Sequence, residues 1–200
     1  MAVDKRILTD AMQTFRIEAE SLAETAKVLE PEAFGLAVEA LAGAPRIAAA
    51  GCGHTGIACR HFAHLMCCIE RPARFLSPAE AVHGGMGFLQ PGDVMLLASR
   101  GGKTDELMPI ADICRKKGVT VIAVTENLSS PLAEKADIVL AMKVTRECDP
   151  YNCQGTTSFA VTCAIFDALQ VAVLEHTGFR NEEFAVIHPH GAVGKRLNQK

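Results

Sequence analysis

Apolar residues recur every three or four positions over residues 4–28, which is the spacing of an amphipathic helix. Pro31 marks the end of this first predicted helix, and a second helix is expected over residues 32–41. Residues 47–50 then form a short apolar run that leads into a glycine turn at Gly51, a pattern typical of a buried strand. The chain therefore opens with two helices before it enters a sheet.

Strand and helix patterns alternate through the rest of the chain. Further strands are predicted over residues 73–76, 94–99, 120–125 and 138–142. Further helices are predicted over residues 55–69, 104–116, 131–136 and 156–177, with helix and loop over 77–90, a loop over 143–154 and a tail from Ile187. This alternation predicts a doubly wound α/β fold, in which helices cover both faces of a parallel sheet. Ligands of such folds bind at the carboxyl ends of the strands.

Composition narrows the class of protein. The 200 residues are 49% hydrophobic and 22% charged, with a net charge of −3, which is typical of one globular domain. We expect residues 1–44 to form a helical arm and residues 45–200 to form the sheet core and tail of that single domain. Because the chain has no long basic run, neither nucleic acid nor a membrane is an expected partner. The apolar stretch 159–174 contains polar side chains and is too short to span a bilayer, so it is predicted to be a buried core helix.

The N-terminus carries no apolar secretory segment, which predicts a cytoplasmic protein. In that compartment the eight cysteines, which include no Cys-x-x-Cys pair, are expected to be reduced and mostly buried. The adjacent Cys67 and Cys68, and the pair Cys148 and Cys153, are accordingly interpreted as core packing and not as redox centres.

Three predicted strand ends carry glycines or hydroxyl side chains directly in front of a helix. They are Gly51-Cys52-Gly53-His54-Thr55-Gly56, Ser99-Arg100-Gly101-Gly102-Lys103-Thr104 and Gly155-Thr156-Thr157-Ser158. Glycine lets a ligand approach the backbone closely, and the N–H groups at a helix N-terminus favour a phosphate. Each loop alone is equally well explained as a capped helix start, but three at successive strand ends favour a phosphate-binding site.

Nucleotide-binding interpretations of these loops have less support. Gly51, Gly53 and Gly56 fit the G-x-G-x-x-G template of dinucleotide-binding folds, but the second predicted strand does not end in the acidic residue that the template requires. NAD binding is therefore only a distant alternative. Lys103 lacks the earlier glycine of a Walker motif, which removes the main support for nucleotide hydrolysis.

Two histidine pairs have spacings that metal sites use. His61 and His64 lie three apart on a predicted helix, but no third ligand at a recognisable spacing accompanies them. His188 and His190 share one face of an extended segment, which alternate residues do for many reasons. The sequence predicts no metal and no cofactor.

Several blocks together resemble the sugar isomerase (SIS) domain family and, within it, the D-arabinose-5-phosphate isomerases of Kdo synthesis. The blocks extend over almost the whole chain, and the most specific is FAVIHPHGAVGKRL, residues 184–197. The others are the glycine turn at Gly51, Glu80-Ala81-Val82-His83-Gly84, the loop 99–106, Glu147-Cys148-Asp149-Pro150 and Thr156-Thr157-Ser158. Many members of that isomerase group continue into a pair of CBS domains; because this chain stops at Lys200, it is expected to be a free-standing SIS domain.

The resemblance implies a flavodoxin-like, five-stranded parallel sheet and a homodimer or homotetramer whose active sites lie between subunits. It places functional acids at Glu106 and Glu147 and functional histidines at His83 and His188. It places the phosphate-binding groups at Thr55, Ser99, Gly101, Thr104, Thr156, Thr157 and Ser158.

Two positions depart from the isomerase pattern. His54 stands where those isomerases have lysine, and it is kept as a candidate catalytic residue. Ser99-Arg100-Gly101-Gly102 stands where they have Ser-x-Ser-Gly, so a hydroxyl is lost while Arg100 and Lys103 add positive charge nearby.

The implied reaction is aldose–ketose isomerisation of a sugar phosphate, with ribulose 5-phosphate and arabinose 5-phosphate as the expected pair. A base removes the proton beside the carbonyl and returns it to the neighbouring carbon of an enediolate. Glu147 is the preferred base because it follows the fifth strand, with Glu106 as the other candidate, and His83 or His188 opens the ring or moves hydroxyl protons.

Plainer interpretations and other functions stay open at this point. Glu106 also fits a first-turn carboxylate that complements a helix dipole, and Glu147 also fits a solvated loop acid. The alternative functions are a 6-phospho-3-hexuloisomerase and a regulatory SIS module that binds a sugar phosphate without turning it over.

Overall fold

A five-stranded, all-parallel sheet in the order β2-β1-β3-β4-β5 forms the centre of the computed structural model, which describes residues 3–199. The strands are β1 Ile47–Ala50, β2 Ala73–Phe75, β3 Val94–Ala98, β4 Thr120–Thr125 and β5 Ile138–Ala141. The order reverses at β1, which pairs with β2 on one side and with β3 on the other. This confirms the predicted flavodoxin-like, doubly wound fold.

Helices cover both faces of this sheet. They are α1 Lys5–Val28, α2 Pro31–Gly43, α3 Gly53–Cys67, α4 Pro78–Ala81, α5 Met108–Lys117, α6 Pro131–Lys135, α7 Thr157–Thr177, α8 Asn181–Ile187 and α9 Gly191–Asn198. Strand side chains alternate between two cores: Ile47 and Ala49 of β1 pack with α2, α3 and α7, whereas Ala48 and Ala50 pack on the side of α5 and α6. Because both faces are covered, every residue of β1 is buried, as its continuous apolar run predicts.

Helix α7 is the most apolar helix of the fold. By length and composition alone it is able to cross a membrane, since it has 21 residues and contains an 18-residue stretch with a mean hydropathy of 1.7. In this structure α7 packs against α1, α2 and α3, and Val161, Phe166 and Leu169 are fully buried. One face of α7 therefore lies in the core, as predicted, while Val171 on the other is exposed.

Two predicted elements differ from the structure. The helix expected over 104–116 begins as a 3₁₀ turn, Asp105–Leu107, and becomes α-helical only at Met108. Pro109 explains this, because it lacks the N–H that an α-helix would bond back to residue 105. The tail from Ile187 contains helix α9, in which Gly194 serves close packing: a Cβ there would overlap the backbone of His188 and Pro189.

The cysteines are less buried than the sequence predicts. Cys59 and Cys114 are buried, and burial raises the pKa of the Cys114 thiol to about 12. Cys67 and Cys153, however, are exposed, and Cys68 and Cys148 are partly exposed. The expectation of core packing was wrong for Cys67 and Cys153, because one lies at the end of α3 and the other in the loop after β5, beyond the packed layers.

Candidate active site

An open cleft of about 400 Å³ lies at the carboxyl ends of the central strands. It is lined by Gly51 and Cys52 after β1, by Ser77 after β2 and by Glu106 after β3. This is the point where the strand order reverses and the connecting helices leave towards opposite faces of the sheet. The fold therefore creates a ligand-sized space at the edge where the sequence motifs predict one.

The turn after β1 presents an uncapped helix to this cleft. A Cβ on Gly56 would lie 2.6 Å from the Gly51 carbonyl oxygen, so α3 packs this closely on β1 only with glycine there. Close packing thus accounts for the glycine spacing that resembles a dinucleotide motif. The N-cap residue Cys52 makes no side-chain cap hydrogen bond, and Thr55 in the first turn is partly exposed. The first N–H groups of α3 are available to an anion.

The loop after β3 is closed on itself by hydroxyl contacts. The Ser99 Oγ lies 2.8 Å from the Thr104 Oγ1 and accepts a hydrogen bond from the Gly102 N–H at 3.1 Å. Gly102 has a φ of +64°, which glycine adopts without strain. Gly101 is exposed, and its N–H makes no hydrogen bond to any residue in the range 3–199. Ser99, Gly101 and Thr104 are therefore brought together in one loop beside the cleft.

Glu106 reaches the cleft from the 3₁₀ turn Asp105–Leu107. Its side chain is exposed and forms no hydrogen bond or ion pair within the described part of the chain. Burial raises the pKa of the Cys52 thiol and the Glu106 carboxylate raises it further, which means that the two side chains lie close together. Since α5 begins only at Met108, Glu106 is not a first-turn residue of that α-helix.

Glu147 is enclosed by hydrogen-bond donors. Only 2% of its surface is exposed. Its Oε1 accepts a hydrogen bond from Arg100 at 2.8 Å, and its Oε2 accepts from the Ser158 N–H at 3.1 Å and the Thr156 hydroxyl at 3.3 Å. The interpretation as a solvated loop acid was wrong, because the chain folds the residue under the start of α7. The protein's own carboxylate thus occupies the anion-binding position at that helix N-terminus.

Arg100 and Glu126 extend this network to β4. Arg100 Nε donates to Glu126 Oε2 at 2.9 Å, and Glu126 Oε1 accepts from the Val144 N–H at 3.2 Å. Burial on its own raises the pKa of Glu126, but the hydrogen bonds from Arg100 and Val144 outweigh it and hold that pKa below its usual range. The sequence analysis considered Arg100 only as a positive charge near the loop. It missed Glu126, and the one feature that could have indicated this residue is its position directly after the strand β4.

The start of α7 is tied to the loop after β5. The Thr156 hydroxyl accepts a hydrogen bond from the Cys148 N–H at 2.9 Å and donates to Glu147. Thr157 is fully buried, with its hydroxyl 3.1 Å from the Cys148 Sγ. The hydroxyls of Thr156 and Thr157 and the N–H of Ser158 are therefore all engaged within the protein.

His54 links the turn after β1 to the start of α7. Its Nδ1 lies 2.8 Å from the Gly155 carbonyl oxygen, and its ring meets Phe159 edge-on at 6.3 Å between ring centroids. Since a carbonyl only accepts, Nδ1 carries the proton in this contact and Nε2 is the acceptor of the neutral ring. A Cβ on Gly155 would lie 2.8 Å from Nδ1, so this placement of His54 depends on glycine at 155.

The other candidate histidines are exposed. His83 lies two residues beyond α4, whose first residue, Pro78, lines the cleft. His188 lies between α8 and α9, two helices that pack on each other. The structure therefore places Glu106 in the lining of the cleft, and Thr55 lies between the lining residues Gly53 and Gly56 without lining it. Residues 99–104 of the loop after β3 do not line the cleft themselves, and His188 lies on the tail of its own chain.

Comparison with known proteins identifies the family. The family model described as SIS domain matches residues 40–172, which contain the sheet and all three glycine or hydroxyl loops. The chain belongs to the SIS domain family. The matched range ends before α8 and α9, so His188 lies outside it.

Three proteins that are similar to this SIS domain have more specific names. Arabinose 5-phosphate isomerase KdsD of Pseudomonas aeruginosa is 40% identical over 157 residues, covering 78% of this chain and 48% of the relative. A solved structure from Listeria monocytogenes, proposed to be a sugar-phosphate isomerase, is 41% identical with a TM-score of 0.90 and covers 94% of this chain and 100% of that one. The c3406 protein of E. coli CFT073, solved in complex with arabinose 5-phosphate, is 26% identical with a TM-score of 0.85 over 94% of this chain and 100% of that one. The SIS domain spans about half the length of its Pseudomonas relative and 62% of an E. coli relative, arabinose 5-phosphate isomerase KpsF.

Proposed function

We propose that this SIS domain is an aldose–ketose isomerase that interconverts ribulose 5-phosphate and arabinose 5-phosphate in the cytoplasm. The observation that carries the proposal is the cleft at the strand-order reversal. Its lining includes Glu106, a carboxylate that has no partner among residues 3–199, and two loops suited to phosphate binding lie nearby. The names of the relatives support the same substrate, since they include arabinose 5-phosphate isomerases and a fold neighbour with that sugar phosphate bound.

The phosphate is assigned to the uncapped start of α3 and the loop after β3. Thr55 belongs to the first, and Ser99, Gly101 and Thr104 belong to the second. Thr156, Thr157 and Ser158 are a less suitable anchor, because Glu147 already supplies the anion at the start of α7. A bound phosphate holds the sugar carbons over Glu106, so that binding energy from the remote group serves the reaction.

Glu106 is the better base of the two glutamates. A base needs a carboxylate oxygen that can accept a proton from carbon, and both oxygens of Glu147 are occupied by donors. Glu106 has no such partner among residues 3–199 and lines the cleft. We therefore assign the transfer of the carbon-bound proton to Glu106. His54, His83 and His188 are the candidates for moving hydroxyl protons, and Glu147 balances the charge of Arg100.

Conversion of ribulose 5-phosphate by the purified protein tests this proposal. Arabinose 5-phosphate should accumulate, whereas 3-hexulose 6-phosphate and other ketose phosphates should react slowly, and added EDTA should leave the rate unchanged. Faster turnover of 3-hexulose 6-phosphate would replace the assignment by the hexuloisomerase. Binding across the panel without turnover would replace it by the regulatory module.

Replacement of Thr104 by valine should weaken phosphate binding. The variant loses the hydroxyl that contacts Ser99, and the loss of one hydrogen bond to a charged phosphate raises KM about 10- to 100-fold. Steady-state kinetics with ribulose 5-phosphate measures the change. Thr177→Val is the matched control, because the exposed Thr177 hydroxyl bonds only to the Leu174 carbonyl oxygen of its own helix. Equal KM values for Thr104→Val and the wild type would refute the phosphate anchor.

The active site is proposed to be completed by a second copy of the chain in a homodimer or homotetramer. His188 is exposed on the tail, and one face of α1 exposes Ile7, Met12 and Phe15 to between 59% and 68%. Apolar side chains exposed together in this way favour a protein interface.

Mixing two inactive variants tests the shared site. Glu106→Gln and His188→Ala chains, allowed to exchange subunits, should recover about a quarter of wild-type activity, because half of the random dimers carry one intact site of two. Either variant incubated alone is the control. If the mixture stays as inactive as its components while subunit exchange is demonstrated, His188 does not act across the interface.

A further inference from the structure

Arg100 joins three strand ends through its side chain and its backbone. Its guanidinium donates to Glu126 after β4 at 2.9 Å and to Glu147 after β5 at 2.8 Å. Its carbonyl oxygen accepts hydrogen bonds from the Thr125 hydroxyl at 3.0 Å and the Glu126 N–H at 2.9 Å. The loop after β3, to which the phosphate is assigned, is therefore held to both β4 and β5 at this single residue.

Arg100 is also the cation that forms an ion pair with the buried Glu147 carboxylate. Arg146 donates to the carbonyl oxygen of Glu147 and not to its carboxylate, and Lys143 lies 3.3 Å from Glu126. Glu18 on α1 is separated from this cluster by Cys148, whose Sγ lies 3.9 Å from it. Among residues 3–199, Arg100 alone forms an ion pair with Glu147.

Loss of this cation has a defined consequence. A buried carboxylate without a cationic partner is unfavourable as an anion, so the Glu147 side chain would no longer be stable in this position. The Ser158 N–H and the Thr156 hydroxyl at the start of α7 would then lose their acceptor. The loop after β3 would at the same time lose its two ion pairs, with Glu126 and Glu147, and keep only the hydrogen bonds to its backbone.

We infer that Arg100 is a positioning residue of the isomerase, which holds the Glu147 side chain in place under α7 and thereby fixes the phosphate-binding loop after β3. This role rests on the proposed isomerase function. Arg100 itself does not contact the reacting carbons; it acts through Glu147 and through the loop to which it belongs.

Arabinose 5-phosphate kinetics and affinity test the inference in three variants. Arg100→Met should raise KM at least about tenfold at pH 8 with kcat within about threefold of the wild type. Arg100→Lys should restore most of the lost affinity, since it returns the charge.

The double variant Arg100→Met with Glu147→Gln separates positioning from simple loss of stability. With no buried charge left without a partner, its free energy of unfolding should return towards the wild-type value, although KM stays raised because the loop still lacks Arg100. A wild-type KM in folded Arg100→Met would overturn the inference, as would a wild-type KM in the double variant.

Calorimetric binding of arabinose 5-phosphate makes the outcome independent of turnover. If the wild type binds the sugar without isomerising it, the proposed function fails, while the same variants still report whether Arg100 controls affinity. Wild-type affinity in Arg100→Met, together with normal wild-type turnover, would overturn the Arg100 inference alone.

Discussion

Replacement of Glu106 by glutamine is expected to lower kcat for ribulose 5-phosphate about 1000-fold, because general base catalysis contributes about 10² to 10⁴ in rate. The amide has nearly the shape of the carboxylate but cannot take a proton from carbon. Glu106 is exposed and unpaired within residues 3–199, so the substitution removes no contact that stabilises the fold. The affinity for arabinose 5-phosphate should therefore stay within about threefold of the wild type.

Asp105→Asn is the matched control for Glu106→Gln. It makes the same chemical change at the neighbouring exposed position of the same 3₁₀ turn. Its kcat should stay close to that of the wild type. If Glu106→Gln kept full activity, Glu106 would not be the base. If Glu147→Gln then folded normally but lost its kcat, Glu147 would be the base.

Replacement of Gly102 by alanine is expected to destabilise the protein by about 3 kcal/mol, since a positive φ disfavours L-residues by about 1–2 kcal/mol and overpacking adds to this. Gly102 has a φ of +64°, and a Cβ there would overlap the side chain of Ser130. Ser130 has no room to move, because it is fully buried and its side chain caps α6 by accepting from the Ala133 N–H. The loop after β3 must shift, so KM should rise as stability falls.

Chemical denaturation and steady-state kinetics measure the two effects of Gly102→Ala together. Gly87→Ala is the control, because a Cβ at Gly87 would meet nothing within 4 Å and its φ is not in the left-handed region. Its stability should change by less than about 0.5 kcal/mol, as surface substitutions usually do. If Gly102→Ala were as stable as Gly87→Ala, the loop would not depend on glycine as described.

The alternation of apolar runs was sufficient to predict the fold, because periodicity and glycine turns are properties of the local sequence. The strand over 120–125 and the first helix to Val28 have the bounds that the pattern predicts. Helix α9 was missed because Gly191 and Gly194 resemble helix breakers, and the close packing of Gly194 against His188 and Pro189 is not visible in the sequence.

The candidate site was predictable only in part. The motifs follow β1 and β3, whose carboxyl ends lie together in a parallel sheet, and the structure places Glu106 in the lining of the cleft at that edge. The roles of Thr55, the loop after β3 and Glu106 stay predictions. The burial of Glu147 and its pairing with Arg100 depend on contacts across 47 residues of chain, which spacing does not reveal. The preference for Glu147 as base came from its place after β5, whereas the hydrogen bonds to its two oxygens favour Glu106.

The most direct test of the account is proton NMR of the isomerisation in D₂O. Removal and return of the C2 proton by Glu106 exposes that proton to solvent, so arabinose 5-phosphate at equilibrium should lose its C2 proton signal over many turnovers. The predicted result is arabinose 5-phosphate that carries deuterium at C2. Arabinose 5-phosphate that retains its C2 proton after prolonged turnover would contradict proton transfer through an enediolate, and a spectrum with no product would contradict the isomerase.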